Sequence, residues 1–143
     1  MTVTGLEAFD TTLQTTNLWL KELMAELGWQ DRHKAYMGLR LTLHALRDRL
    51  TVAEAVQLGA QLPMLIRGFY YEGWTPAGKP LKERHKESFL APLRDYFGID
   101  AERVARAVFK VLERRISAGE LADIKSLLPH ELNELWPESI EKG

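Results

Sequence analysis

The sequence contains no cysteine, and this absence removes several classes of protein at once. Thiolate nucleophiles, thiolate-bound zinc, iron–sulfur clusters and disulfide frameworks all require cysteine side chains. An excess of charge of one sign is also missing, because 19 basic residues face 20 acidic ones and the formal net charge is -1. Nonspecific nucleic-acid binders are usually strongly basic, so this balance disfavours that class while leaving room for a local basic patch.

Long hydrophobic runs are absent as well. No stretch approaches the ~20 apolar residues that a membrane-spanning helix requires. The first residues, MTVTGLEAFDTT, lack the basic and apolar segments of a secretory signal. We therefore expect a cytoplasmic protein that does not enter a membrane. The 143 residues are 45% hydrophobic and 27% charged, which is typical of one globular domain that needs no metal or disulfide to fold.

What the chain does contain is apolar residues at helical spacing along its whole length. Sustained two-residue alternation is missing, so the pattern predicts an all-α bundle of about eight helices and no strands. Capping residues and prolines indicate where these helices begin, because they satisfy or dispense with the free amides of a first turn. The predicted start signals are Thr4 with Glu7, Asp31, Thr51 with Glu54, Pro63, Asp100, Ser117 with Glu120, and Pro129.

The apolar stripes also predict which side chains face the interior. Gly28 is expected to end the first helix in a left-handed cap, and Gly98 to end a later helix that contains Pro92 and is kinked or starts late there. The inward positions expected in these two helices are Phe9, Leu13, Leu20, Leu23 and Leu27, and then Phe89, Leu93, Tyr96 and Phe97.

An internal repeat emerges when the chain is shifted by 66 residues. The segment LHALRDRLTVAEAVQLGAQLPMLIRGFY then lies over FKVLERRISAGELADIKSLLPHELNELW without a gap. A capping box and a Leu-Pro step recur together, which unrelated helices seldom share. We expect a single domain over 1–143, with one repeat at about 4–73, a linker at about 73–84, a second repeat at about 85–137 and a tail at 138–143. Each half exposes apolar faces that it could hardly bury alone, so both are expected to share one core.

The repeat resembles a bacterial and archaeal family known as domain of unknown function 2267. The resemblance depends on ALRDRLTVAEAVQLGAQLPMLIRGFYYEGW and on its echo ending in ISAGELADIKSLLPHELNELW, and it covers nearly the whole chain. It implies a small helical protein with two similar halves. The family supplies no catalytic or binding residues that could be transferred to this sequence.

Several motifs that suggest catalysis or ligand binding fail on closer reading. The segment GWTPAGKP has phosphate-loop spacing, but a helix precedes it and Pro80 replaces the required Ser or Thr. The four histidines are scattered, without the Glu-x-x-His or His-Glu-x-x-His spacing of helical metal sites. No Gly-x-Ser-x-Gly nucleophile elbow occurs. We therefore predict no catalytic set, no cofactor and no metal.

The segment 69–86 is the most distinctive part of the surface. Aromatic residues precede a basic run here, and the candidate interaction residues are Tyr71, Trp74, Lys79, Lys82 and Arg84. Aromatic and basic side chains together can anchor a protein partner or stack nucleic-acid bases. They can equally be ordinary core and solvated linker.

Three functions remain open at this stage. The preferred prediction is a non-enzymatic interaction or regulatory module that binds a protein partner or associates with itself. One alternative is a small-molecule binder or enzyme with a pocket between the two repeats. The other, which the charge balance disfavours, is a nucleic-acid binder that uses the segment 69–86.

Overall fold

Within residues 3–137, apolar side chains that recur at helical spacing lie in eight α-helices, joined in one place by a short 3₁₀ turn at Gly98–Asp100. The structure is a computed structural model that describes residues 3–137, and no strand occurs within that range. The predicted all-α fold is therefore confirmed. The helices are α1 (Glu7–Leu27), α2 (Arg32–Arg47), α3 (Val52–Ala60), α4 (Met64–Tyr71), α5 (Lys86–Phe97), α6 (Ala101–Arg115), α7 (Ala118–Leu127) and α8 (His130–Asn133).

Four helices surround the main core. The helices α2 and α6 contact each other, and both α1 and α5 contact each of them. Gly38 allows the close approach of α2 to α6, because a Cβ atom at this position would lie 2.8 Å from Cγ1 of Val104. Buried apolar residues from all parts of the described chain form one continuous cluster, from Trp19 in α1 to Trp136 after α8.

The four shorter helices pack outside this arrangement. The helix α4 contacts α1, α2 and α3, while α8 contacts α5. The helix α3 also contacts α7, so this pair joins the first part of the chain to the last. The position of α4 leaves a groove beside α1 and α2.

Three predicted helix caps are confirmed. The side chains of Asp31, Thr51 and Ser117 accept hydrogen bonds from the backbone amides three residues later, at 3.1, 3.1 and 3.2 Å. Each of these residues has an extended backbone, which lets its side chain reach back to the first turn. Gly28 has a φ of 68° and ends α1 in the left-handed conformation, as predicted.

Two other predicted caps are wrong. The helix α1 begins at Glu7, and Thr4 bonds to the Asp10 carboxylate instead of capping the first turn. Asp100 closes the 3₁₀ turn with φ -82° and ψ -2°, and its side chain makes no cap hydrogen bond. The physical reason is its helical backbone, which turns the carboxylate away from the amides that it would have to accept from.

The predicted inward stripe is also wrong at two aromatic residues. Phe9 is 49% exposed and Tyr96 is 47% exposed, whereas Trp19, Leu23 and Phe89 are buried. Among the described residues, no helix covers the outer sides of α1 and α5 at these two positions, so about half of each ring is open to solvent. The helix α5 starts at Lys86 and continues through Pro92, so the late start that we considered does not occur.

The predicted linker lies between α4 and α5 and is attached to the end of α2. The Leu81 amide donates to the Asp48 carbonyl oxygen at 2.8 Å, and Arg49 pairs with Glu83 at 2.5 Å. The predicted tail at 138–143 lies outside the described residues.

Candidate functional site

A surface groove of about 960 Å³ runs between α1, α2 and α4. Its walls are mostly apolar, although the groove is open to water. The apolar side chains that line it are Phe9, Leu13, Leu20, Tyr36, Met64, Leu65 and Phe69. Met64 and Leu65 are 41% and 42% exposed, and Phe9 is similarly exposed on the opposite wall. Full burial of one such side chain is worth roughly 1.5–3 kcal/mol, so this surface would gain from an apolar partner.

The contact between α1 and α4 holds the groove in shape. The Leu65 amide, in the first turn of α4, donates to Oγ1 of Thr12 at 2.9 Å. This amide has no acceptor within its own helix, so the threonine satisfies it and fixes the two helix ends together.

The residues before α1 fold back onto Asp10. Its Oδ1 atom accepts from the amides of Val3 and Thr4 at 3.1 and 2.8 Å. The backbone hydrogen bond from Thr4 is the main reason that the pKa of Asp10 lies below its usual value. Thr4 is thereby placed at the edge of the groove.

Charged and polar side chains surround the apolar floor. Arg32 donates to Oδ1 of Asn17 at 2.6 Å, and His33 lies beside it at the start of α2. Glu72 forms an ion pair with Arg40. Thr16 is only 6% exposed, and its Oγ1 atom, in the groove wall, has no hydrogen-bond partner among the described residues. The rim thus contains the Arg32 guanidinium, which no carboxylate of the described residues pairs with, and the Thr16 hydroxyl, which has no hydrogen-bond partner among them.

The groove floor also contacts a half-buried histidine. Nε2 of His44 lies 2.7 Å from the Phe69 carbonyl oxygen, so it donates in the neutral tautomer. Burial lowers the pKa of His44 below its ordinary value. This histidine is therefore a neutral structural support for α4.

A second groove, of about 1080 Å³, lies between the end of α1, α6 and residues 133–137. It is strongly charged, but its cations are already engaged. Arg106 pairs with Glu102 at 2.7 Å, Lys110 with Glu26 at 3.4 Å, and Arg103 donates to a backbone carbonyl at 2.6 Å. A ligand would have to displace these contacts, so we regard this groove as the weaker candidate.

The predicted aromatic residues lie together but pack onto α3. The rings of Tyr71 and Trp74 are 5.5 Å apart, and both side chains are half-buried. The Tyr71 hydroxyl lies over Gly59, where an added Cβ would come within 2.3 Å of it. Nε1 of Trp74 is buried without a hydrogen-bond partner among the described residues. This pair covers α3 more than it projects into solvent.

The predicted basic residues lie in a different environment. Lys82 and Arg84 are exposed and line a shallow groove with Pro129 and Glu131, which contains neither of the two aromatic rings. Lys79 is half-buried. The structure therefore brings Tyr71 and Trp74 together, and separately Lys82 and Arg84, but the groove lined by the basic side chains does not include the aromatic pair.

The sequence analysis missed a cluster of carboxyl groups between α3 and α7. Oxygen atoms of Glu54, Glu120 and Asp123 all lie within 4.8 Å of one another. Glu54 and Glu120 were predicted to close their own capping boxes, and the Thr51 and Ser117 halves of those boxes are present. The two glutamates, however, lie next to each other. Their equal offset of 66 residues was the one signal in the sequence that could have suggested this.

The same cluster is the group of described residues that could hold a metal ion, since carboxylate oxygens suit hard divalent cations. Glu54 and Glu120 are 9% and 6% exposed, and one oxygen of each has no hydrogen-bond partner among the residues described. Burial, followed by the contact with Glu54, raises the pKa of Glu120 to about 8.

Fold and surface together define an all-α bundle with an apolar groove on one side. A family described as "Uncharacterized conserved protein (DUF2267)" matches residues 16–135, and the chain belongs to this family. The resemblance noted in the sequence is thereby confirmed. A search of curated proteins found no match. Within residues 3–137, no helix combines the length and apolar character that crossing a bilayer would demand.

The family match begins inside α1, at Thr16. The first nine residues of this helix, 7–15, and the segment before it lie outside the match. Several groove residues belong to that unmatched part, namely Thr4, Phe9, Thr12 and Leu13. One wall of the groove is therefore formed by a stretch that the family description does not include.

Proposed function

We propose that the protein is a non-enzymatic, cytoplasmic interaction module whose groove between α1, α2 and α4 binds an amphipathic helix of a partner protein. The observation that carries the proposal is the set of large apolar side chains left exposed around a groove that is already formed. Phe9 on one wall and Met64 and Leu65 on the other would be covered by a single apolar helix face. Such binding is a common mode of recognition by helical proteins.

The dimensions of the groove suit a helix. A helix is about 10 Å wide with its side chains, and its apolar face repeats every three to four residues. The part of α1 that lines the groove, from Phe9 to Leu20, offers a wall of about three helical turns for such a ligand. The groove also reaches the upper end of the size range of small-molecule pockets, roughly 300–1,000 Å³, while remaining open to solvent.

Charge on the rim favours a partner with an acidic residue. Arg32 and His33 lie at the start of α2, where the helix dipole adds a partial positive charge. Glu72, the acidic residue of the rim, is neutralised by Arg40. We expect the bound helix to place an aspartate or glutamate near Arg32, beside its apolar face.

We also propose that the chain consists of two quasi-equivalent halves, about 4–73 and about 85–137, which share one core within a single domain. The caps at Thr51 and Ser117 are alike, and Leu62 and Leu128 are both buried. Residues related by a pseudo-two-fold axis meet where the axis passes. The contact of Glu54 with Glu120 supports this arrangement.

One alternative is a small-molecule binder or enzyme that works at the junction of the halves. The observation in its favour is the buried carboxyl cluster between α3 and α7. Nucleic-acid binding through the segment 69–86 has less support, because the basic groove lacks the aromatic rings. The surface of Tyr71, Trp74, Lys79, Lys82 and Arg84 stays a prediction for a second protein contact.

A peptide selection tests the proposed groove. Peptides of about five helical turns (~18 residues) would be selected for binding to the wild-type protein. Their affinities would then be measured against Leu65→Asp and Phe9→Asp. Both changes add an acid to the first turn of a helix, where the dipole tolerates it, so the fold is expected to persist. We expect the selected peptides to be amphipathic and acidic. Their affinity for Leu65→Asp and for Phe9→Asp should be lower than for the wild-type protein by about tenfold or more.

The matched control is Ile99→Asp, because Ile99 is 92% exposed and lies in the 3₁₀ turn, outside the groove. Peptides that bind Leu65→Asp as well as they bind the parent would refute the groove. Sedimentation is the second arm of the test. A wild-type dimer at micromolar concentration that Leu65→Asp converts to a monomer would assign the groove to a second copy of the chain instead.

A further inference from the structure

Two buried carboxyl groups face each other where α3 contacts α7. Glu54 and Glu120 occupy the third position of their helices, and their exposed fractions are 9% and 6%. Carboxylate oxygens of the two residues lie within 4.8 Å of each other. Oε2 of each glutamate is buried and has no partner among the described residues. An ionised carboxylate without a partner is costly to bury, so the arrangement favours the neutral form of at least one of the two carboxyl groups.

Cations among residues 3–137 do not supply the missing partner. None of the ion pairs formed by the described residues includes Glu54 or Glu120. Arg47, a buried cation that contacts the end of α4, is engaged by Asp48 at 2.9 Å and by the Tyr70 carbonyl at 2.7 Å.

The other titratable groups around the pair do not compensate its charge either. Asp123, on α7, adds a third negative charge at the exposed edge of the cluster. Tyr70, on α4, donates its hydroxyl to the Ala55 carbonyl oxygen at 2.6 Å, and burial raises its pKa, so it stays neutral. Two carboxylates this close, in a poorly solvated site, repel each other too strongly to be ionised together.

We propose that Glu54 and Glu120 share one proton at neutral pH and that this acid pair is a pH-sensitive contact between α3 and α7. With the proton present, one carboxyl donates a hydrogen bond to the other, and the buried oxygens are partnered. When hydroxide removes the proton, two negative charges face each other across the helix contact. The contact then weakens. The shift of the Glu120 pKa to about 8 agrees with this geometry.

The neighbouring contact between the same helices would respond with it. Gln61, at the end of α3, donates from Nε2 to Oγ of Ser117 at 3.0 Å and accepts from the Ser117 amide at 2.9 Å. Ser117 caps α7 only three residues before Glu120. A separation at the acid pair would therefore alter the environment of the Ser117 amide.

The direction of the pH effect follows from proton uptake. In the unfolded chain Glu120 ionises near its ordinary value of 4.5, while in the folded protein it ionises near 8. Folding therefore takes up a proton between these two values. The free energy of unfolding falls as pH rises through this window and becomes constant above it. For one proton, the folding equilibrium constant falls by at most about tenfold per pH unit.

Measurements between pH 7 and 9 report on the ionisation of the Glu54–Glu120 pair. His44 has a pKa below its ordinary 6.5, so its contribution is constant above neutral pH. We would follow the carboxyl carbons of the glutamates and the Ser117 amide by NMR in the wild-type protein. The expected result is one glutamate that titrates near pH 8, with the Ser117 amide shifting at the same midpoint. Titration of every glutamate below pH 6 would overturn the proposal.

Denaturant unfolding at several pH values supplies the second arm. Glu120→Gln keeps the shape and offers an N–H group in place of the shared proton, so its stability should not depend on pH between 7 and 9. The wild-type protein should lose stability over the same range. Asp95→Asn removes the same charge from an exposed residue, so its curve should parallel the wild type. Parallel curves for wild type and Glu120→Gln would contradict the shared proton.

If Glu120→Gln does not fold, Glu54→Gln provides the same test. This variant removes the other carboxyl group of the pair and should abolish the same titration. Calcium and manganese chloride, added at pH 8, are the last probe. A rise in melting temperature of the wild type that Glu54→Gln lacks would mean that the pair takes a cation. That result would overturn the proton assignment.

Discussion

Tyr70 connects α4 to α3 through one interior hydrogen bond. Its side chain is fully buried, and its hydroxyl donates to the Ala55 carbonyl oxygen at 2.6 Å. A phenol keeps its apolar ring in the core only if its polar end finds a partner. The position of α4, and therefore one wall of the groove, depends on this contact.

Replacing Tyr70 with Phe is expected to lower the free energy of unfolding by about 1 kcal/mol, because the ring remains but the hydrogen bond is lost. Urea unfolding monitored by circular dichroism measures the change. Tyr71→Phe is the control, since the Tyr71 hydroxyl makes no hydrogen bond within the described residues. An equal loss in both variants would contradict this assignment.

Residue-scale prediction succeeded where local chemistry decides the outcome. Thr51 and Ser117 cap their helices as their spacing predicted, whereas Thr4, with the same spacing, bonds to the nearby Asp10 carboxylate instead. The partners of Glu54 and Glu120 were also predicted wrongly. A capping box assigns each glutamate a local partner, and only tertiary structure brings the two glutamates together.

Helices α2 and α6 approach each other through a glycine. Gly38 faces Val104, and a Cβ there would be 2.8 Å from Cγ1 of that valine, well inside van der Waals contact. Val104 is fully buried, so it has little freedom to move. The spacing of the two central helices is therefore sensitive to one methyl group.

The substitution Gly38→Ala is expected to destabilise the protein by roughly 1–3 kcal/mol, because overpacking outweighs the gain in helix propensity. Gly119→Ala is the matched control. It lies in the first turn of α7 with no atom near its Cβ position, so it should be neutral or slightly stabilising. Thermal unfolding of both variants checks this, and a stable Gly38→Ala protein would mean that α2 and α6 separate easily.

At the scale of whole helices, the sequence predicted which helices exist, but it did not predict which apolar faces are covered by other helices. The apolar spacing located all of the long helices, but it assigned Phe9 and Tyr96 to the interior. A stripe indicates that a face is apolar, and it does not indicate whether another helix covers that face. The groove was invisible in the sequence for this reason, since its lining residues look like core residues.

Helices from the first and second parts of the chain pack against one another. The helix α1 contacts α6, and α2 contacts both α5 and α6, so helices that precede the segment 73–84 pack against helices that follow it. Ion pairs follow the same contact, with Glu22 joined to Arg114 at 2.7 Å and to Arg115 at 3.0 Å. The hydrophobic contacts dominate, because surface ion pairs add little each.

A fragment of residues 1–75 is therefore expected not to fold alone. It would leave the faces of α1 and α2 that contact α5 and α6 in water. Circular dichroism should give low helicity and no cooperative thermal transition for this fragment, in contrast to the full chain. Adding the fragment 76–143 should restore helicity. Cooperative unfolding of 1–75 by itself would refute the shared core.

The first and last parts of α1 differ in what their side chains contact. From Trp19 onward its apolar side chains belong to the core, whereas residues 7–15 contribute none of the core side chains and lie outside the family match. Residues 7–15 therefore line the proposed groove without contributing to the core, whereas Leu20 belongs to both. Under the proposed function, an exchange of residues 7–15 that keeps Asp10 and Thr12 would alter what the groove binds, while the side chains that α1 contributes to the core stay the same.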